Sequence, residues 1–324
     1  VLETQGFEKC LLVVSAMGKT TNALEKVVEY YFKKQDYQQE IELIKKNHID
    51  IAKGLFSENH PVFGEISLFF DDIDSFLRRN KSPNYNFVYD QVVSCGEMIS
   101  SKILSEYLND IQFFNHWLDA RDYIKTDSNY REGIVNWQET EQNISKLDKI
   151  NCYVTQGFIG SESNNFTVTL GREGSDYTAA IFAYCLNADE MTIWKDVPGV
   201  MTGDPRKFDN VELLSFISYE EAIEMAYYGA SVIHPKTVQP LKQKNIPFFV
   251  KSFVEPKEPG TKVGNSTENE SIESYILKEN QTLLNVETRD FSFIAEDHIS
   301  LIFTLLAKYK IKVSLMQNSA ISLA

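Results

Sequence analysis

The run Thr169-Leu170-Gly171-Arg172-Glu173-Gly174-Ser175-Asp176-Tyr177-Thr178-Ala179-Ala180 gathers an arginine, two carboxylates and several hydroxyls where an alternating apolar segment breaks into glycines and becomes an alanine-rich helix. Its glycines admit conformations and close approaches that a Cβ blocks, and Ser175 and Asp176 fall where a helix begins with its amides unpaired. Such an end receives an anion. A glycine turn with Asp or Ser as a plain N-cap is the alternative that this stretch alone leaves open.

A second candidate is Val92-Val93-Ser94-Cys95-Gly96-Glu97-Met98-Ile99, which sets a glycine and an isolated carboxylate inside an otherwise apolar helical run. Glycine costs about 1 kcal/mol there relative to alanine, so close packing or ligand approach is implied. A buried Glu97 needs a cation; an exposed one is an ordinary helical salt-bridge partner. The small, hydroxyl-rich loop SAMGKTTN, from Ser15 to Asn22, places Lys19, Thr20 and Thr21 just before a helix, without the GxxxxGK[ST] spacing of a Walker loop. It reads either as a loop whose hydroxyls and amides bind a polar substrate or as a simple helix start. The charged loop Asp196 to Lys207 is long for a mere connection, and loops at strand ends of α/β sheets are where ligands bind. A surface excursion fixed by its prolines is the other reading. His234, before Pro235, reads as a packed structural residue.

The elements that must position these groups alternate between strand and helix. Cys10 to Ser15 is a short apolar strand of the kind covered on both faces in a parallel sheet. A helix follows from about Ala23, with Leu24, Val27, Val28 and Tyr31 on one face. Asp36 to Asn109 reads as helical with breaks near Ser57 to Pro61 and Lys81 to Asn84. Ile111 to Trp117 is expected as a strand, and Asn151 to Phe158 with Phe166 to Leu170 as a strand pair turning at Gly160 to Asn165. Glu190 to Lys195 and Ile246 to Lys251 are further strands. Ser218 opens a helix as N-cap with Glu221 in the capping-box position, and Gly229 closes it. Glu255 to Asn269 has the composition of a boundary. Beyond it a β-α-β pattern is expected: a strand over Gln281 to Thr288, a helix over Glu296 to Tyr309 and a strand over Ile311 to Met316.

The chain has 324 residues, 43% of them hydrophobic, enough for about two packed domains. A net charge of -14 argues against a nucleic-acid or anionic-membrane partner, so an anionic substrate must be met by local positive groups. The four cysteines Cys10, Cys95, Cys152 and Cys185 form no CxxC or Cys/His cluster, and neither zinc nor a disulfide framework is suggested. With no signal peptide and no apolar run long enough for a bilayer, the cytoplasm is the expected compartment.

SAMGKTTNAL, VSCGEMISS, the span from TQGFIGS through TLGREGSDYTAA to WKDVPGVMTGDPR, and YYGASVIHP together resemble the aspartate kinases (aspartokinases) of the amino acid kinase family, in order and over nearly the whole chain. The resemblance implies an α/β fold, a doubly wound three-layer sandwich. Residues 1–264 would form the catalytic domain, 265–280 a linker and 281–324 part of a C-terminal ACT regulatory domain of ferredoxin-like βαβ type. It implies transfer of the γ-phosphoryl of MgATP to the side-chain carboxylate of aspartate, with ATP and Mg²⁺ as cofactors. Thr21, Glu97, Arg172 and Ser175 match positions that hold aspartate, and Asp176 matches the aspartate that organises phosphoryl transfer. Arg172 and Asp176 are thus the catalytic pair. Ser15, Lys195, Asp196, Met201, Arg206 and Ser231 match the nucleotide site, Ser231 standing where the family often has lysine. Ser314, Met316, Gln317 and Asn318 fall where amino-acid effectors bind, with lysine or threonine expected at an ACT interface of a homodimer or higher homo-oligomer. The family opens with a glycine-rich KFGGTS segment whose lysine touches the transferring phosphates, and Val1 falls downstream of it. An inactive paralogue or amino-acid sensor is therefore one alternative, and a kinase of acetylglutamate or glutamate another.

Overall fold

The computed structural model describes residues 9–148, 151–229, 233–265, 273–289, 292–309, 311 and 313–324. Strand β1 (Leu11–Val14) leads through the Ser15 loop into α1 (Thr20–Phe32). Helices α2 (Gln38–Lys53), α3 (Val62–Arg79), α4 (Tyr85–Val93) and α5 (Cys95–Asp110) follow, breaking near 57–61 and 81–84 as the sequence predicts and again at Ser94, inside the run that the sequence reads as one helix. The apolar spacing is the cause. Leu24, Val27 and Val28 of α1 and Val62, Ile66, Phe70, Ile73 and Leu77 of α3 recur at helical intervals, and all are buried in one core with α4 and α5. Each such side chain contributes about 1.5–3 kcal/mol by leaving water.

After β2 (His116–Leu118), α6 (Ala120–Tyr123) and α7 (Trp137–Ile144), strand β3 (Tyr153–Gln156) enters between β1 and β2, parallel to both. Helix α5 packs on this sheet, and α8 (Gly174–Leu186) lies against β1 and also against β6 (Met191–Lys195). A second sheet runs in the order β6, β8 (Phe248–Ser252), β9 (Thr261–Gly264), β7 (Phe216–Ser218). Its helices are α9 (Tyr219–Tyr228) and α10 (Pro235–Gln243), the latter packed on α8. The result is the expected three-layer α/β sandwich. Ser218 and Glu221 form the predicted capping box.

Several expectations shift. Helix α1 starts at Thr20, not Ala23, because the Thr20 hydroxyl donates to the Met17 carbonyl (2.7 Å) and draws the loop into the first turn. The strand expected from Ile111 begins only at His116, since Gln112 takes a left-handed turn (φ 67°) and Phe114 stays exposed. The predicted pairing of residues 151–158 with 166–170 is replaced: β3 is taken by the parallel sheet, and the hairpin forms between β4 (Ile159–Ser161) and β5 (Thr167–Thr169). The Glu162 carboxylate closes that turn by accepting from the amides of Asn164 and Phe166. At the C-terminal end the helix forms as α11 (Glu296–Lys308), but only Val286–Glu287 (β10) and Ser322–Leu323 (β11) pair, antiparallel. No strand forms over 311–316 among the described residues. None of the α11 side chains is buried, so nothing covers a sheet face there to hold a longer strand.

Candidate active site

The junction between β5 and α8 is built by close backbone packing. Leu170 donates its amide to the Phe158 carbonyl (2.8 Å), and Gly171 turns with φ 81° beside the Arg131 carbonyl, which a Cβ would approach to 3.2 Å. Glu173 follows in the left-handed region (φ 53°). A Cβ on Gly174 would lie 2.5 Å from Phe158 Cδ2, and one on Gly157 would lie 2.7 Å from Ser175 Cα. The first turn of α8 is therefore pressed onto the 157–158 bend, where Phe158 itself has φ 71°. The N-cap is Glu173, and it makes no side-chain capping bond. Neither Ser175 nor Asp176 is the cap, so the plain-cap reading fails and the helix start stays available to an anion.

Across from this start, Lys195 at the end of β6 brings its Nζ to 3.1 Å from Asp176 Oδ2 and 3.4 Å from Glu173 Oε2. Burial raises the Asp176 carboxyl, the Lys195 charge opposes it and Glu173 adds to the rise. Burial by itself would lower Lys195, but the two carboxylates outweigh it and keep the ammonium charged. Two acids thus share one cation at the mouth of the helix.

Glu97 is 3% exposed, and its Oε2 has no hydrogen-bond partner among the described residues. Burial pushes its carboxyl up to about 8, against its own amide and that of Ala16. Gly96 explains the depth: a Cβ there would come 3.0 Å from Ala16 Cβ and 3.1 Å from Thr20 Cγ2, so α5 lies directly against the loop after β1. Ser100 adds a hydrogen bond to the Ser15 carbonyl (2.7 Å). The surface salt-bridge reading of Glu97 is thereby excluded. Thr21, in the first turn of α1, is half-buried, while Ser15 and Arg172 are exposed.

The remaining predicted residues are less converged. Asp196 is exposed just beyond Lys195, and Met201 bridges to Leu213. Arg206 is exposed and folds its fork onto Asp204 (2.8 and 3.0 Å). Ser231 lies outside the described residues. Ser314, Met316, Gln317 and Asn318 lie beyond α11, where the Ser314 hydroxyl accepts from Lys278 Nζ (2.9 Å) and Asn318 bridges to Leu323. His234 caps α10 by accepting the Lys236 amide, as a structural residue should. Its imidazole is nonetheless lowered, by burial first and also by Lys236 and Arg172, which places it near the junction. Sequence reasoning missed Glu173, Phe158 and Asp90. Charge and an αL position sit together at Glu173, but only the structure reveals the second.

The amino acid kinase family model matches residues 2–252. The lysine-sensitive aspartokinase 3 of Escherichia coli (strain K12) is 33% identical over 97% of this chain and 70% of that protein. The bifunctional aspartokinase/homoserine dehydrogenase of Buchnera aphidicola is 29% identical over 97% of this chain, which spans 40% of that longer protein. Among solved structures, Escherichia coli aspartokinase III in complex with aspartate and ADP superposes with a TM-score of 0.80 at 30% identity, covering 97% of this chain and 70% of that one.

Proposed function

The chain belongs to the amino acid kinase family, and on that footing we propose that it transfers the γ-phosphoryl of ATP to the side-chain carboxylate of L-aspartate, giving 4-phospho-L-aspartate. The observation that carries this reading is Glu97, a buried carboxylate with one oxygen open beside the loop after β1. Such a group calls for a cation, and the α-ammonium of a free amino acid is one. An N-acylated acid has no ammonium to offer. Thr21 and Ser175 supply hydroxyls around the same substrate, and Arg172 clamps a carboxylate bidentately.

The acceptor carboxylate is already ionised at neutral pH, so no general base is required. Catalysis rests on in-line positioning and on neutralising phosphate charge. Asp176 organises the transferring group at the α8 start, and Lys195 lies within reach of the same phosphoryl. Ser15, Asp196, Met201, Arg206 and Ser231 are assigned to the nucleotide. No group of three or more His, Cys, Asp or Glu among the described residues forms a metal cage. The site still suits Mg²⁺, which takes one or two carboxylates plus substrate phosphates, and Asp176 is the fitting protein ligand. When bound, that ion would neutralise charge on the phosphates.

Residues 1–264 are proposed as the catalytic unit and 281–324 as belonging to a regulatory one. Lysine is the proposed effector, on the strength of the lysine-sensitive Escherichia coli relative. Exposed Leu301, Phe303 and Leu305 on α11 support association of two copies through this segment. No helix of the described residues is long and apolar enough to cross a membrane. Coupled ADP-release assays with aspartate, glutamate and acetylglutamate test the proposal; turnover showing no preference for aspartate refutes it.

A further inference from the structure

Asp90 is a carboxylate with no solvent access at all, on the last turn of α4. Its Oδ2 accepts from the amides of Thr169 and Arg131, both at 2.9 Å, and its Oδ1 from the Thr169 hydroxyl at 2.8 Å. A carboxylate offers acceptors only, and here three donors converge on one. The three bonds join α4, the end of β5 and the 128–133 loop. The Gly133 amide returns to the Thr169 carbonyl (2.9 Å), and the Arg131 carbonyl lies under Gly171. Thr169 stands three residues before Arg172.

The same helical rod carries Glu97. Ser94, the single residue between α4 and α5, keeps helical angles (φ -55°, ψ -23°); its amide reaches the Asp90 carbonyl (3.4 Å) and the Met98 amide reaches its carbonyl (3.2 Å), so the two helices meet without a loop. Asp90 and Glu97 thus stand seven residues apart, one near the end of α4 and the other in the first turn of α5, with only Ser94 between the two helices. A closed loop of chain and hydrogen bonds results: Glu97, seven residues back through the α4–α5 junction to Asp90, three hydrogen bonds to Thr169 and the neighbouring loop, then three residues of chain to Arg172.

We propose that Asp90 is a positioning residue that fixes the span between the ammonium pocket at Glu97 and the carboxylate clamp at Arg172, and thereby selects aspartate over glutamate. The inference rests on the aspartate kinase reading. Nothing at Asp90 touches substrate; it acts through Thr169 and Arg131. Loosening the seat lets the clamp move relative to the pocket, which weakens the fit of the shorter acid and relaxes rejection of the one with an extra methylene.

The test is steady-state kinetics on the full-length protein and its Asp90→Ala and Thr169→Val variants, with Thr169→Ser as the rescue that keeps the hydroxyl. In both disrupting variants KM for aspartate should rise roughly tenfold or more while KM for ATP stays within about twofold. The ratio of kcat/KM for aspartate over glutamate should fall roughly tenfold, within the range one methylene commands. Thr169→Ser should recover the ratio. If Asp90→Ala does not fold, Thr169→Val, which keeps the Asp90 carboxylate and removes one bond, decides alone. An unchanged ratio in a folded variant, or equal rises in both KM values, overturns the Asp90 role and leaves the kinase reading standing. A wild-type protein that releases no ADP with aspartate overturns the reading itself, and the inference with it.

Discussion

Binding of aspartate should expel a proton, and the amount follows from the burial of Glu97. With its carboxyl raised to about 8 by burial, the ligand-free group carries a proton in about 0.9 of molecules at pH 7. An α-ammonium placed against the open Oε2 favours the ionised form and releases that proton. The expected release is about 0.9 proton per site at pH 7 and about 0.5 at pH 8. Ionising the group before binding costs about 1.4 kcal/mol at pH 7, so aspartate affinity should strengthen about fivefold between pH 7 and pH 8. Calorimetric titration in buffers of different ionisation enthalpy measures the proton count directly. Glu97→Gln should abolish the release and weaken aspartate without altering nucleotide affinity. Zero release at pH 7 by the wild-type protein, with aspartate bound, would refute the pairing of Glu97 with the ammonium. The stability of the ligand-free protein moves the opposite way with pH. Because the folded carboxyl stands above its ordinary 4.5, Glu97 contributes stability that is full below that value and lost as pH rises through about 8.

Asp176→Asn should lower turnover by about 100-fold or more while leaving the melting temperature within a few degrees, since it removes charge at the transferring group and keeps shape; near-normal turnover in the folded variant would remove Asp176 from the reaction. Gly157→Ala should cost about 1–3 kcal/mol and reduce activity, because its Cβ would run into Ser175 Oγ and come 2.7 Å from Ser175 Cα; thermal melts and kinetics matching wild type would show that the 157–175 contact is slack. Chelating Mg²⁺ should stop ADP release and added Mg²⁺ should restore it, because Asp176 and Glu173 leave excess negative charge where the phosphates must sit; turnover persisting in excess chelator would contradict that charge balance.

The helices were legible because their cores are strictly periodic, as in α3, and because capping chemistry marks their ends, as at Ser218. The strand pairing was not legible. Residues 153–156 and 159–161 differ by a bend at Gly157-Phe158, and no local rule tells that the first joins a parallel sheet while the second turns back on β5. That choice depends on Gly157 meeting Ser175 across the fold, a contact between residues 18 positions apart. Glu97 was legible as a carboxylate in an apolar helix, but its burial was undecided, because Gly96 reveals its purpose only once Ala16 and Thr20 lie against it.

Asp90 shows why the rest stayed hidden. In sequence it is one acid among many, followed seven residues later by another, a spacing that surface helices also show. What distinguishes it is a set of partners, Thr169 and Arg131, that lie 79 and 41 residues away. The Arg131 guanidinium adds a further tie, lying 4.0 Å over the Tyr89 ring beside Asp90 and 3.1 Å from Glu25 of α1. Helix α1 begins at the Thr20-Thr21 turn, so the loop that frames Glu97 and the turn that carries Arg172 are braced against the same two helices. The exposed ends of this frame can respond to ligand, while its buried centre holds their separation. A substrate that bridges Glu97 and Arg172 would then be measured by a distance that the fold sets before it arrives.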